Sequence, residues 1–260
     1  MITDIAIVQV EGREGEPAAA RLERGLQLLN TLDRPVGLAV FPELWTVGYF
    51  NFAQYATVAE PVPGPLTARF SEAARRAGTW LHAGSVIEST PERILFNTSV
   101  LFDSQGQLRA VYRKIHLFGY QCEEKEVLQP GLDPVVVSTP FGHIGLATCY
   151  DLRFPELFRI LTARGAEAFV VVSAWPLDRL DHWLVLARAR AVENLAYVIG
   201  CNMCGIVGNT RLAGHSLVVD PWGMPVAAAD DEEQVLHARV DWARVRDLRR
   251  RFPVLADRRL

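Results

Sequence analysis

The chain has 260 residues, half of them hydrophobic, and a formal net charge of −3, so it can bury a large core and has no general attraction for nucleic acid or an anionic membrane. The apolar N-terminal run Ile5–Val10 lacks a basic leader and meets Glu11, Arg13 and Glu14; it does not read as a signal peptide, and no stretch reaches the roughly 18 apolar residues of a membrane helix. The expected location is cytoplasmic, where the four cysteines do not suggest a disulfide framework.

In chain order, apolar runs of strand length occupy Ile5–Val10, Val36–Phe41, Leu81–Ile87, Ile144–Ala147, Ala168–Ala174 and Ala196–Gly200. Between the first two, Ala19, Leu22, Leu26 and Leu29 recur at helical spacing. Asp103-Ser104-Gln105-Gly106 marks a hairpin turn. The polar stretch His116–Asp133 has weak periodicity and reads as a long connection, a kind of segment that is often functional. Pro155 is placed to open a helix that runs to about Arg164 and stops at Gly165. Leu180, Trp183, Leu184, Ala187 and Ala191 form another helical stripe, with Asp178 as its expected N-cap. A second hairpin turns at Asp220-Pro221-Trp222-Gly223. The tail Arg244–Leu260 holds seven arginines; with an acidic chain overall, it reads as a solvated helix face and an extended end rather than a nucleic-acid arm. Each half of the chain runs strand, helix, strand, helix, strand, hairpin. The first half ends near Lys114 and the second begins near His143. This order predicts an α/β fold of two similar halves, and without a linker signal residues 1–260 read as one domain.

Three segments carry the chemistry. They are Phe41-Pro42-Glu43-Leu44-Trp45, Tyr112-Arg113-Lys114-Ile115-His116-Leu117-Phe118 and Thr148-Cys149-Tyr150-Asp151-Leu152-Arg153-Phe154-Pro155-Glu156. Each follows an apolar, strand-like run, and together they offer a carboxylate, an ammonium and a thiol. That set suffices for nucleophilic acyl transfer without a metal or cofactor. Only two of the 27 Lys and Arg residues are lysines, so an amine at Lys114 points to a need for a compact, tunable charge. Taken singly, a Glu after a strand is ordinarily a surface residue, and a Cys there a small core residue.

In order and spacing these segments resemble the signatures of the nitrilase superfamily, the carbon–nitrogen hydrolases. Gly131, Trp175, the run Arg190-Ala191-Val192-Glu193-Asn194 and Gly214-His215-Ser216 also fall where that family places them, so the resemblance covers essentially the whole chain. It implies a four-layer αββα sandwich of mixed sheets. It implies Glu43 as base, Lys114 as oxyanion donor and Cys149 as nucleophile, with no cofactor. It implies that the end of the chain, from about residue 244, meets a partner subunit in a homodimer or higher homo-oligomer. Many relatives carry a further acid near the site, and Glu124, seven residues before Gly131, fits that place; its neighbours Glu123 and Glu126 fit a solvated acidic loop equally in composition. Cys149 is expected on a sharp strand-to-helix turn, with the Tyr150 N–H and the Lys114 ammonium facing a developing oxyanion.

The string CYDLRFPEL is most similar to the ω-amidase branch, whose members hydrolyse small ω-amido acids such as 2-oxoglutaramate. Relatives that act on carboxylate-bearing substrates hold the carboxylate with an Arg at the position of Arg153, through parallel hydrogen bonds; a salt bridge to Glu156 or Asp151 is the competing reading. Trp175 and Tyr49 are expected to wall the pocket. An N-carbamoyl amino acid amidohydrolase or another amidase of the superfamily is the alternative. A reading of a different class takes Cys201-x-x-Cys204 as half of a metal site or a redox pair, although no second pair with that spacing exists. His116, His182 and His215 raise the question of a Cys–His pair and read as structural histidines, His116 being placed to buttress the site.

Overall fold

The computed structural model describes residues 1–32 and 35–259; the last residue of the tail, Leu260, lies outside them. Two six-stranded sheets dominate. The first runs, edge to edge, Gln234–Asp241, Ile2–Gln9, Leu38–Val40, Trp80–Ser89, Leu95–Phe102 and Leu108–Arg113. The second runs Pro225–Ala228, Leu217–Val219, Tyr197–Asn202, Ala168–Ser173, His143–Thr148 and Val136–Ser138. In each, three parallel strands are flanked by antiparallel ones. The two halves are therefore built alike, with the first sheet completed by a strand from the far end of the chain.

The continuous apolar runs follow from burial on both faces, which removes the need for alternation. Ile5, Ile7, Leu38 and Val40 meet Ile144, Leu146, Val170 and Ile199 between the sheets. On the outer face of the first sheet, Ala6, Val8 and Phe41 lie in one cluster with Leu26, Leu29, Phe70 and Ala74 of the helices Ala18–Asn30 and Pro65–Ala77. On the outer face of the second, Ala147, Phe169 and Val171 cluster with Leu157, Phe158, Trp183 and Ala187 of the helices Pro155–Ala163 and Leu180–Asn194. The layers are helix, sheet, sheet, helix.

Several boundaries differ from the sequence reading. The run Val36–Phe41 yields only the strand Leu38–Val40, because Phe41 already begins the turn that carries Glu43. Asp178 is not a cap: it sits inside the short 3-10 turn Leu177–Arg179, and Arg179 takes the N-cap position with no side-chain bond. The long connection after Lys114 contains a four-residue helix, Glu124–Val127. The helix Pro65–Ala77 is the one expected between the second and third strands, whereas the strand Gln234–Asp241 and the small sheet of Glu11–Gly12, Cys204–Val207 and Thr210–Ala213 had no counterpart in the sequence reading. Among the described residues no helix is long and apolar enough to cross a membrane.

The C-terminal helix Trp242–Arg251 exposes several arginines, as expected, but its first turn belongs to the core. Trp242 is fully buried, donates from Nε1 to Thr3 Oγ1 at 3.0 Å and lies 5.3 Å from the Phe141 ring. Arg249 donates to the main-chain carbonyls of Ala166, Asn194 and Leu195. Trp242→Ala is therefore expected to cost about 3–5 kcal/mol, read as a lower urea midpoint; a midpoint at the wild-type value would show that the helix is an appendage.

Candidate active site

Glu43 stands on a turn that the first sheet forces into shape. Phe41 N–H donates to the His82 carbonyl at 2.8 Å, and Leu44 N–H to Ser85 Oγ at 3.1 Å. Leu44 adopts a φ of 43°, an uncommon conformation for a non-glycine residue. Gly84 on the neighbouring strand has a φ of 76°, and a Cβ there would lie 2.0 Å from the Pro42 carbonyl oxygen. Only glycine lets the Pro42–Glu43 turn sit this close. The Glu43 carboxylate is fully buried. Its Oε1 accepts from Lys114 Nζ at 2.9 Å and from Asn97 Nδ2 at 2.8 Å, and its Oε2 accepts from the Ala174 N–H at 3.0 Å.

Lys114 follows the edge strand Leu108–Arg113 and points inward. Its ammonium donates to Glu43 and, at 2.8 and 3.0 Å, to both oxygens of Glu124. Glu124 is fully buried and also accepts from the Phe118 N–H at 2.6 Å, whereas Glu123 and Glu126 are exposed. The spacing to Gly131 thus picked the inward-facing acid; Gly131 N–H itself donates to the Lys114 carbonyl at 2.8 Å.

Cys149 opens the 3-10 turn Cys149–Arg153 directly after the strand His143–Thr148, with a φ of 47°. Asp151 holds this turn. It accepts from Thr148 N–H at 2.8 Å, from Tyr112 OH at 2.6 Å and from His116 N–H at 3.0 Å, and its Oδ1 lies 2.7 Å from His116 Nδ1. Tyr112 and His116 flank Lys114 by two residues on either side, so one carboxylate fixes the thiol's turn to the strand end that carries the ammonium. His116 also stacks on Phe154 at 3.8 Å. The side chains close enough to bias the thiol's ionisation are Glu43, Lys114 and Ser173, none of them a histidine.

Burial pushes the Cys149 thiol well above its usual pKa, and the negative charge of Glu43 adds to the effect against the pull of Lys114. Burial also raises Glu43 above the ordinary carboxylate range, although Lys114 opposes the shift. For Lys114 burial acts in the other direction, but Glu124 and Glu43 hold its proton on well above the usual lysine value. At rest the ammonium stays charged and the thiol stays protonated.

A narrow pocket opens over Cys149. Tyr49, Tyr150, Trp175 and Phe118 line it together with Arg153 and Arg179. The Trp175 N–H donates to Asn202 Oδ1 at 2.7 Å, which fixes that wall. Arg153 does not form the competing salt bridge to Glu156 or Asp151. Its guanidinium lies 4.9 Å from the Trp175 ring and 5.9 Å from the Tyr150 ring, with His182 Nδ1 as its hydrogen-bond partner at 3.1 Å. Cys201 and Cys204 lie elsewhere: Cys201 Sγ donates to the Val8 and Val40 carbonyls between the sheets, and Cys204 is buried on the small sheet. Among the described residues no cluster of three or more His, Cys, Asp or Glu side chains is placed to hold a metal ion.

The family model for carbon–nitrogen hydrolases matches residues 4–250. The chain belongs to this family. It is 41% identical to a 2-oxoglutaramate amidase of Paenarthrobacter nicotinovorans, over 98% of this chain and 89% of that protein. It is 34% identical to a deaminated glutathione amidase of Yersinia enterocolitica, over 98% of this chain and 93% of the relative. Saccharomyces cerevisiae Nit3, a member of branch 10 of the nitrilase superfamily, superposes with a TM-score of 0.91 at 31% identity, covering all of this chain and 97% of that one.

Sequence reasoning missed three polar residues of the candidate site. Asn97 bridges the two acids, reaching Glu124 Oε1 at 3.3 Å as well as Glu43. Ser173 lies beside the thiol, and Arg179 lines the pocket. Asn97 and Ser173 sit inside apolar strands, and a polar residue on a buried strand face was the available signal. Lys114→Met should test the charge cluster. It leaves carboxylates buried without their cation, a loss of about 3–5 kcal/mol at neutral pH. Glu43, already raised, would rise further, so the folded state binds protons more readily than the unfolded one. Stability should therefore recover as pH falls and be lost as pH rises through the folded pKa. Urea unfolding at neutral and mildly acid pH reads this; a loss that does not shrink in acid would contradict the arrangement.

Proposed function

We propose that this chain hydrolyses the terminal amide of small ω-amido acids, with 2-oxoglutaramate as the leading substrate, giving the acid and ammonia. The observation that carries the reading is the buried carboxylate–ammonium cluster set against Cys149 at the foot of a pocket that also holds Arg153, a guanidinium with no carboxylate partner among the described residues. A cation placed this way suits a substrate with an anionic end remote from the reacting amide. The similarity to a 2-oxoglutaramate amidase supports the same class.

In the proposed mechanism Glu43 takes the thiol proton as Cys149 Sγ attacks the amide carbon. The carbonyl electrons move onto oxygen, facing the Lys114 ammonium and the Tyr150 N–H. The tetrahedral intermediate collapses, the carbon–nitrogen bond breaks, and Glu43 gives its proton to the departing ammonia. Water then attacks the thioester, Glu43 accepts its proton, and that proton returns to sulfur as the acid leaves. Glu124 accepts two bonds from the ammonium and one from Phe118 N–H, so its role is to hold Lys114 in place. Trp175 and Tyr49 shape the pocket.

The test is ammonia release from an ω-amido acid and from a neutral amide of equal length. Cys149→Ala should release none from either. Arg153→Ala should lower the ratio of kcat/KM, ω-amido acid over neutral amide, by roughly 10- to 150-fold, the worth of a charged hydrogen bond. Turnover by Cys149→Ala would remove the nucleophile from the scheme. A ratio that Arg153→Ala leaves unchanged would remove the anionic substrate class.

A further inference from the structure

Beyond the pocket over Cys149 lies a wider outer chamber that is open to solvent. Phe50, Phe118, Pro176 and Arg179 line both spaces, so the two meet at a neck where Arg179 stands. Its backbone is fixed there, since Trp175 Nε1 donates to the Arg179 carbonyl at 2.8 Å. The side chain is only 25% exposed, and the nearest carboxylate among the described residues, Asp178, is 3.6 Å away, beyond a normal hydrogen bond, and 67% exposed. Instead the guanidinium lies 5.3 Å from the Phe118 ring and 5.9 Å from the Tyr120 ring.

This repeats the pattern at Arg153. The Phe118 and Tyr150 rings touch, with centroids 5.1 Å apart, and each has a guanidinium near it. Trp175 joins the pair, with its ring beneath Arg153 and its Nε1 bonded to Arg179. A largely buried guanidinium ordinarily finds a close carboxylate. Aromatic faces stabilise its charge without engaging the planar N–H fork; His182 takes one N–H of Arg153 and the exposed Asp178 stands 3.6 Å from Arg179, so further donors of each fork remain for an anion. Arg211 lines the outer chamber as well, but Asp231 holds it at 3.1 Å in a solvated pair, so Arg179 is the stronger anion receptor there.

We propose that Arg179 is a second anion-reading residue at the neck, so that the site favours ligands with two carboxylates, one taken by Arg153 in the inner pocket and one on a longer arm by Arg179. This rests on the proposed function, since it takes Arg153 as the partner of the first carboxylate. The bond cleaved and the proton transfers at Cys149 and Glu43 stay the same.

The experiment uses the full chain and straight-chain dicarboxylates of increasing length, each paired with the monocarboxylate of equal length. The readout is the concentration that protects Cys149 from alkylation by iodoacetamide. In the wild type, dicarboxylates long enough to span the two arginines should protect at roughly 10- to 150-fold lower concentration than their monocarboxylate partners. Arg179→Gln should erase that ratio, and Arg179→Lys, which keeps the charge but loses the fork, should restore part of it. Equal protection by both ligand types in the wild type, or an advantage that survives Arg179→Gln, would overturn the proposal. Because protection does not require turnover, the two readings fail separately. An Arg179-dependent advantage in a protein that hydrolyses no ω-amido acid would overturn the function and keep the subsite. ω-Amido acid turnover with no such advantage would do the reverse.

Discussion

A single ammonium, Lys114, is held inside the protein between Glu43 and Glu124 with no access to water, and the rest of the site is arranged around that charge. A buried cation needs close anions, and two are present; two buried anions in turn need more donors than one amine supplies. Asn97 Nδ2 and the main-chain N–H groups of Ala174 and Phe118 complete the count. A planar guanidinium could not sit at the junction of three such groups, which explains a lysine in a chain that otherwise favours arginine. In the proposed mechanism the acyl-transfer step moves an existing negative charge from Glu43 onto the substrate oxygen beside the same ammonium, so little new charge has to be stabilised in the dry pocket.

The site depends equally on how the two sheets meet. Glu43, Asn97 and Lys114 come from the first sheet and its connections; Cys149, Ser173 and Ala174 come from the strand ends of the second. Asp151 joins the halves through Tyr112 and His116, and the Ala174 N–H reaches Glu43 across the same boundary. Leu44 and Cys149 both hold positive φ, a local cost that persists because the surrounding bonds determine each turn. Held on rigid strand ends in this way, the groups of the proposed mechanism are positioned before substrate arrives.

Much of this was legible in the sequence because its cause is local. Apolar runs buried on both faces, the Pro155–Ala163 helix and the two hairpin turns follow from residues near one another in the chain. Glu43, Lys114 and Cys149 were visible as chemically distinct residues after such runs, and family spacing selected Glu124 over its exposed neighbours. What remained hidden depends on distant partners. The strand Gln234–Asp241 exists because Ile2–Gln9 offers it an edge. Asp178 has the right side chain for a cap, but the turn Leu177–Arg179 displaces it. Asn97 and Arg179 gain meaning only when sheets and loops bring acids or aromatic rings to them, and periodicity carries no record of that.

The most direct measurement of the central claim is the ionisation of Cys149 in the free enzyme, read as the thiolate ultraviolet absorbance of wild type minus Cys149→Ser across the neutral range. With Glu43 holding the negative charge beside Lys114, no thiolate signal should appear until strongly alkaline pH. A thiolate already present at neutral pH would contradict this account: Cys149 and Lys114 would then form the ion pair, and Glu43 would rest protonated.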